Sequence, residues 1–156
     1  AMLRFSLIIA LVTIGLDQAT KLLAVNELWN PYQVLRVFEF LNLVPVENRG
    51  ISFGLFQSSG EIGRWVISIF SILVVICIFF WLRRDKRKFP SFCFGMIVGG
   101  ALGNVIDRLR QGWVIDFIDF YVQDWHWPAF NLADIYITIG IIMLIMSFFI
   151  KSKTVK

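Results

Sequence analysis

The sequence predicts an α-helical polytopic membrane protein, with four transmembrane helices and a small extracytoplasmic β-sheet between them. Three observations carry this. Of the 156 residues, 58% are hydrophobic and only 17% charged, whereas soluble domains carry about a quarter charged. The apolar surplus is gathered into four runs close to the ~20 residues that cross a bilayer. The basic residues sit at the ends of those runs, so the net charge of +4 gives no reason to expect a nucleic-acid partner.

In chain order, Ala1 before Met2 reads as an added residue. The first helix spans 3–25, interrupted by Asp17, Gln18 and Lys21. Arg4 before an apolar run is also how a cleaved signal peptide begins. No small-x-small site follows, and the polar interruptions favour a retained anchor. The outer region 26–64 is too long for a connector. Trp29, Pro31 and Tyr32 mark an interfacial element over Glu27–Gln33. Residues 34–56 mix Val, Phe, Leu and Ile with Arg36, Glu39, Asn42 and Glu47, a strand pattern with a turn at Asn48-Arg49-Gly50.

The second helix spans 65–82 and the third 89–108, where Gly95, Gly99 and Gly103 fall four apart and invite close approach of another helix. Asp107 continues that spacing, with Asn104 and Arg108 on the adjacent ridge. A second outer region, 109–131, holds a further strand pair around Trp113–Tyr121. The fourth helix spans 132–150, with Asn131 as N-cap and Asp134 at its third position, near the positive end of the helix dipole. The whole chain, 1–156, reads as a single membrane-embedded domain.

Charge asymmetry sets the orientation. Arg4, Arg83, Arg84, Lys86, Arg87, Lys88, Lys151, Lys153 and Lys156 fall on one side if both termini share it. The other side holds Arg36, Arg49, Arg64, Arg108 and Arg110. The first side is therefore expected to be cytoplasmic. Asp17, Lys21, Asn48, Asn104, Asp107, Arg108, Asp116, Asn131 and Asp134 then all collect near the outer face.

Each of these has an ordinary structural use. Asp17 and Lys21 are i,i+4 neighbours able to neutralise one another. Asp107 and Arg108 could fix a helix end, Asp134 could serve the dipole, and Asp116 could be a loop acid. Asp119 and Asp124 read as surface acids, and His126 among Trp125, Trp127 and Pro128 as an interface anchor. Cys77 and Cys93 lie in apolar runs and read as small buried hydrophobes. With one histidine and no cysteine-histidine cluster, neither a metal nor another cofactor is expected. Two carboxylates brought together suit a different chemistry, because one stays protonated while the other ionises. The eighteen residues from Asp116 to Asp134 allow such a pair without requiring it.

These residues resemble the motifs of lipoprotein signal peptidase, or signal peptidase II. The likeness lies in DQATK (Asp17–Lys21), NRGISFG (Asn48–Gly54), the GNVIDR block with Asn104 and Arg108, VIDFID around Asp116, and FNLAD ending at Asp134. Five such blocks in order cover nearly the whole chain. The resemblance implies four transmembrane helices, an outer β-cradle and an interfacial helix. It implies an aspartic endopeptidase of the bacterial inner (cytoplasmic) membrane that needs no metal. Its substrate would be a diacylglyceryl prolipoprotein held among membrane lipids and cut before the lipidated cysteine. Asp116 and Asp134 would be catalytic. Asn48, Gly50, Gly54, Asn104, Arg108, Asn131 and Ala133 would bind substrate or support the site, and Asp17, Lys21 and Asp107 would be structural. The cyclic-peptide antibiotic globomycin would occupy the same site.

Three other functions compete. A proton-coupled transporter would place its polar residues near the bilayer midplane and show repeated halves. A serine-lysine protease would need Ser52 as nucleophile and Lys21 as base. A non-catalytic assembly factor would explain the glycine stripe but not the polar blocks.

Overall fold

The structure, a computed structural model, describes residues 2–50 and 60–153. Its elements run α1 (Met2–Leu28), β1 (Leu35–Phe38), β2 (Leu41–Asn48), α2 (Gly60–Leu82), α3 (Lys88–Gln111), β3 (Val114–Val122), β4 (Trp125–His126) and α4 (Leu132–Lys153). All four helices are long and apolar enough to cross a membrane. Large side chains such as Leu11, Phe70, Leu73 and Met146 stand exposed on α1, α2 and α4, as lipid-facing helix surfaces must.

The central helix is α3, packed against α1, α4 and α2. Its glycines make this possible. A Cβ at Gly95 would lie 2.7 Å from Ile9 Cβ on α1, and a Cβ at Gly99 would strike Thr13. Only glycine lets the two backbones come so close. Gly112 ends α3 in the left-handed conformation, φ 88°, with its N–H on Arg108 O. The chain then turns straight into β3.

The four strands form one antiparallel sheet in the order β1-β2-β3-β4. Register shifts between Leu43 and Val46 of β2, where Pro45 has no N–H to give the ladder; a bulge is where a strand tolerates proline. Beyond it Val46 pairs with Asp116 and Asn48 with Val114. One part of the sheet packs on the C-terminal turns of α1, where Ala24 and Leu28 bury Ile115 and Phe117.

Observed helices run longer than the expected spans, most at the start of α2, where Glu61 pairs with Arg64 at 3.1 Å and the Arg64 guanidinium lies 4.9 Å from the Trp65 ring centre. The interfacial segment takes another form. Glu27 and Leu28 complete α1, and Trp29 bridges to Tyr32 in a tight turn. Pro31 steers Asn30 away from helical geometry. At Asn48 a bend follows the strand, with Gly50 N–H on Asn48 Oδ1 at 3.0 Å. The rest of the NRGISFG block, with Ser52 and Gly54, lies outside the described residues.

Candidate active site

Lys21 is the first anchor of the site. Helical spacing puts it one turn from Asp17, and Nζ lies 2.8 Å from Asp17 Oδ2. The same nitrogen meets Asp107 Oδ2 at 2.9 Å and donates to Asn104 Oδ1 at 3.0 Å. An ammonium has three N–H groups, and here each has an acceptor. Lys21, Asp17 and Asp107 are almost wholly buried, which ionised groups tolerate only with pairing this complete.

The two candidate catalytic aspartates come from different kinds of element. Asp116 sits mid-strand in β3 and is 1% exposed. Asp134 sits in the first turn of α4 and stays partly exposed. Asn131 joins them. Its Nδ2 donates to Asp116 Oδ1 at 2.7 Å and its backbone N–H to Asp134 Oδ2 at 3.2 Å, while its Oδ1 accepts the Asp134 N–H at 3.0 Å. The last two bonds form a reciprocal cap of α4, the arrangement expected from an N-cap and an acid three residues on.

Three asparagines face the pair, each with its amide fixed in direction. Asn48 Oδ1 is held by Gly50 N–H, Asn131 Oδ1 by Asp134 N–H, and Asn104 Oδ1 by Lys21. Their NH2 groups are therefore turned to the carboxylates. Asn48 donates to Asp116 Oδ2 at 2.8 Å and Asn104 to Asp134 Oδ1 at 3.0 Å. Burial, and then the neighbouring charge of Asp134, push the Asp116 carboxyl up to about 7 against the pull of Asn48, Lys21 and Asn131. A carboxyl balanced near neutrality can hold or release a proton at working pH.

Arg108 extends the site toward β2. It donates from Nη2 to Gly50 O at 2.9 Å, and its buried Nε has no partner among the described residues. Beside Asp134 an apolar recess of about 300 Å³ is lined by Trp127, Pro128, Phe130, Ile135, Thr138 and Ile139. Ala133 contributes its N–H, which donates to Asp17 Oδ1 at 3.0 Å.

Three residues depart from the sequence reading: Cys77, expected as a buried hydrophobe like Cys93, is exposed on α2 while Cys93 is buried, and the other two are Asp119 and Gln18. Asp119, expected as a surface acid, is 8% exposed and meets His126 Nδ1 at 2.8 Å and Asn42 Nδ2 at 3.1 Å. The β3–β4 hairpin returns His126 to it, stacked on Tyr121 with ring centres 5.0 Å apart. Gln18 had no assigned role, yet its Nε2 reaches Asp107 Oδ1, Asp17 Oδ2 and Gly103 O at 3.0–3.2 Å. Its position in a polar trio on an apolar helix was the available signal.

Comparisons with known proteins agree along almost the entire chain. Residues 9–150 match the family described as "Signal peptidase (SPase) II". The chain is 45% identical over 139 residues to a lipoprotein signal peptidase of Anaplasma phagocytophilum (strain HZ), covering 89% of this chain and 88% of that one. It is 43% identical over 149 residues to a lipoprotein signal peptidase of Alteromonas mediterranea, covering 94% and 81%. A solved bacterial membrane enzyme superposes with a TM-score of 0.82 at 28% identity, over 97% of this chain and 92% of that one. With identity and fold both sustained over such lengths, the chain belongs to the signal peptidase II family of aspartic peptidases.

Proposed function

We propose that this chain removes the signal peptide from diacylglyceryl-modified prolipoproteins, cutting before the lipidated cysteine, with Asp116 and Asp134 as the catalytic pair. One observation carries the assignment: two carboxyl groups are linked by Asn131, Asp116 held near neutrality by burial and Asp134 lining an apolar recess. In this reading the ionised member takes a proton from a water molecule while the protonated member donates to the scissile carbonyl oxygen. The new C–O bond forms, giving a tetrahedral gem-diol; as its C–N bond breaks, the proton taken from water passes to the departing amine, and one hydroxyl proton returns to the aspartate that protonated the carbonyl oxygen. The two groups titrate as a unit.

The remaining residues have supporting parts. Asn48 and Asn131 hold Asp116, and Asn104 and Asn131 hold Asp134. Arg108 Nε, without a partner among the described residues, suits a substrate carbonyl, with Gly50 and Gly54 on the peptide path. The recess receives an acyl chain of the substrate among the surrounding lipids, and globomycin competes for the same volume. The protein resides in the bacterial inner membrane with both termini cytoplasmic and the site near the outer face.

The test is cleavage of a diacylglyceryl prolipoprotein by wild type, Asp116→Asn and Asp134→Asn. Loss of turnover in both variants, with substrate still bound, supports the pair. Near-normal turnover in either removes that residue from the chemistry.

A further inference from the structure

The three acceptors of Lys21 have second partners, and these converge. Asp107 Oδ2 also takes the N–H of Ile115, the residue before Asp116, at 3.1 Å. Asp17 Oδ1 takes the N–H of Ala133, the residue before Asp134, at 3.0 Å. Asn104, the third acceptor, donates to the Asp134 side chain itself. One ammonium thus stands behind the backbone next to each aspartate and behind a direct contact to one of them.

We propose that Lys21 is a positioning residue for peptide-bond cleavage, which fixes the direction of the Asn104 amide and so makes Asp134 Oδ1 an acceptor. This rests on the catalytic pair proposed above. Both carboxylate links are symmetric, since either oxygen of Asp17 or Asp107 can accept. The Asn104 amide is not symmetric, because turning it over exchanges a donor for an acceptor. An ammonium can only donate, so Oδ1 must face Lys21 and Nδ2 must face Asp134. Asn131 Nδ2 also reaches Asn104 Oδ1, at 3.1 Å, but its two hydrogens serve Ile115 O and Asp116 Oδ1 as well. Asn131 alone therefore does not fix the amide.

Without the ammonium, Asn104 is free to present Oδ1 to Asp134. That contact forms only if Asp134 carries the proton there, which draws the shared proton away from Asp116. The charged groups facing the pair are Lys21 and Asp17 from α1 and Asp107 and Arg108 from α3. On α2, Arg64 is engaged with Glu61, and on the sheet Asp119 is engaged with His126. Among the described cations, Lys21 alone bonds a group that in turn bonds Asp134.

The experiment measures kcat and KM across about pH 5–9 in lipid nanodiscs, using a diacylglyceryl prolipoprotein peptide. It compares wild type, Lys21→Met, Asn104→Asp and the double variant. Lys21→Met is expected to lower kcat at least about tenfold with KM nearly unchanged, and to move the acid limb of kcat/KM up by about one pH unit. Asn104→Asp keeps an acceptor for Lys21 but loses the donor to Asp134, so its limb moves the same way. The double variant falls no further than the worse single one, because both break the same link. A Lys21→Met enzyme that is less heat-stable but keeps the wild-type pH profile and kcat overturns the proposal. Should Lys21→Met fail to fold, an unshifted limb in Asn104→Asp overturns it instead. Failure of the wild type to cut the lipidated peptide would count against the peptidase reading itself.

Discussion

Among the described residues, Asn131 Nδ2 donates to Asp116 Oδ1 at 2.7 Å, closer than the 2.8 Å bond from Asn48 or the 3.0 Å bond from Asn104 to Asp134. It joins a helix cap to a strand residue, so the start of α4 and the middle of β3 are set by one side chain. Asn131→Ala is expected to remove both the cap and the link. Turnover should fall about 100-fold, the scale of losing one preorganised donor. Stability should drop by only about 1 kcal/mol, the usual value of an N-cap. Turnover measured beside thermal unfolding separates the two, and a stability loss without a rate loss would leave Asn131 as a cap alone.

Asp116 gives the pH behaviour. Its carboxyl is raised from an ordinary 3.8 to about 7, first by burial and then by the charge of Asp134. If Asp116 supplies the proton, kcat/KM should decline as pH rises through about 7. The same shift sets a stability trend. A raised acid favours the folded state below 3.8, and that advantage is lost as pH rises through about 7. Unfolding in detergent should therefore occur at a higher temperature at pH 5 than at pH 8 through this group. A flat profile in wild type would show that Asp116 is not raised.

Gly103 and Gly15 make a matched pair. A Cβ at Gly103 would fall on the Asp17 carboxylate, whereas one at Gly15 would meet nothing within 4 Å. Gly103→Ala should cost about 1–3 kcal/mol through overpacking, and it displaces a partner of Lys21. Gly15→Ala should be neutral, or up to about 1 kcal/mol stabilising through helix propensity. Thermal midpoints of the two variants decide the matter; equal losses would mean that α1 and α3 are not in close contact at Gly103.

Asp119 should prove structural. Asp119→Ala strips His126 and Asn42 of their partner, with an expected loss of about 1–3 kcal/mol. Cleavage per folded molecule should stay within about twofold, since neither residue touches the candidate pair Asp116 and Asp134. A large drop in turnover at unchanged stability would bring the His126–Asp119 pair into the reaction.

Much of this is legible in the sequence alone. Runs of apolar residues are read by length, so four helices follow from counting. The Asn131–Asp134 cap and the Asp17–Lys21 pair are local, set three and four residues apart on one helix face. What spacing does not carry is contact between distant segments. Asn104 and Asp134 meet only because glycines let α3 and its neighbours close in. Asp119 looked like a surface acid because the two-residue loop that returns His126 has no glycine; Gln123 takes the left-handed position instead, φ 56°. The tight turn at Trp29–Tyr32 was likewise hidden, since its aromatic residues suit a helix or a turn at the membrane surface equally well.

The apolar recess beside Asp134 bears on how concentration itself must be expressed. Its walls include Trp127 and Ile139, each more than two-fifths exposed. On the function proposed above, a lipidated substrate that reaches Asp134 past those walls travels in two dimensions and never as a free solute. Its effective abundance is then a mole fraction of the bilayer, so adding inert lipid at fixed bulk concentration should slow cleavage as surely as removing substrate.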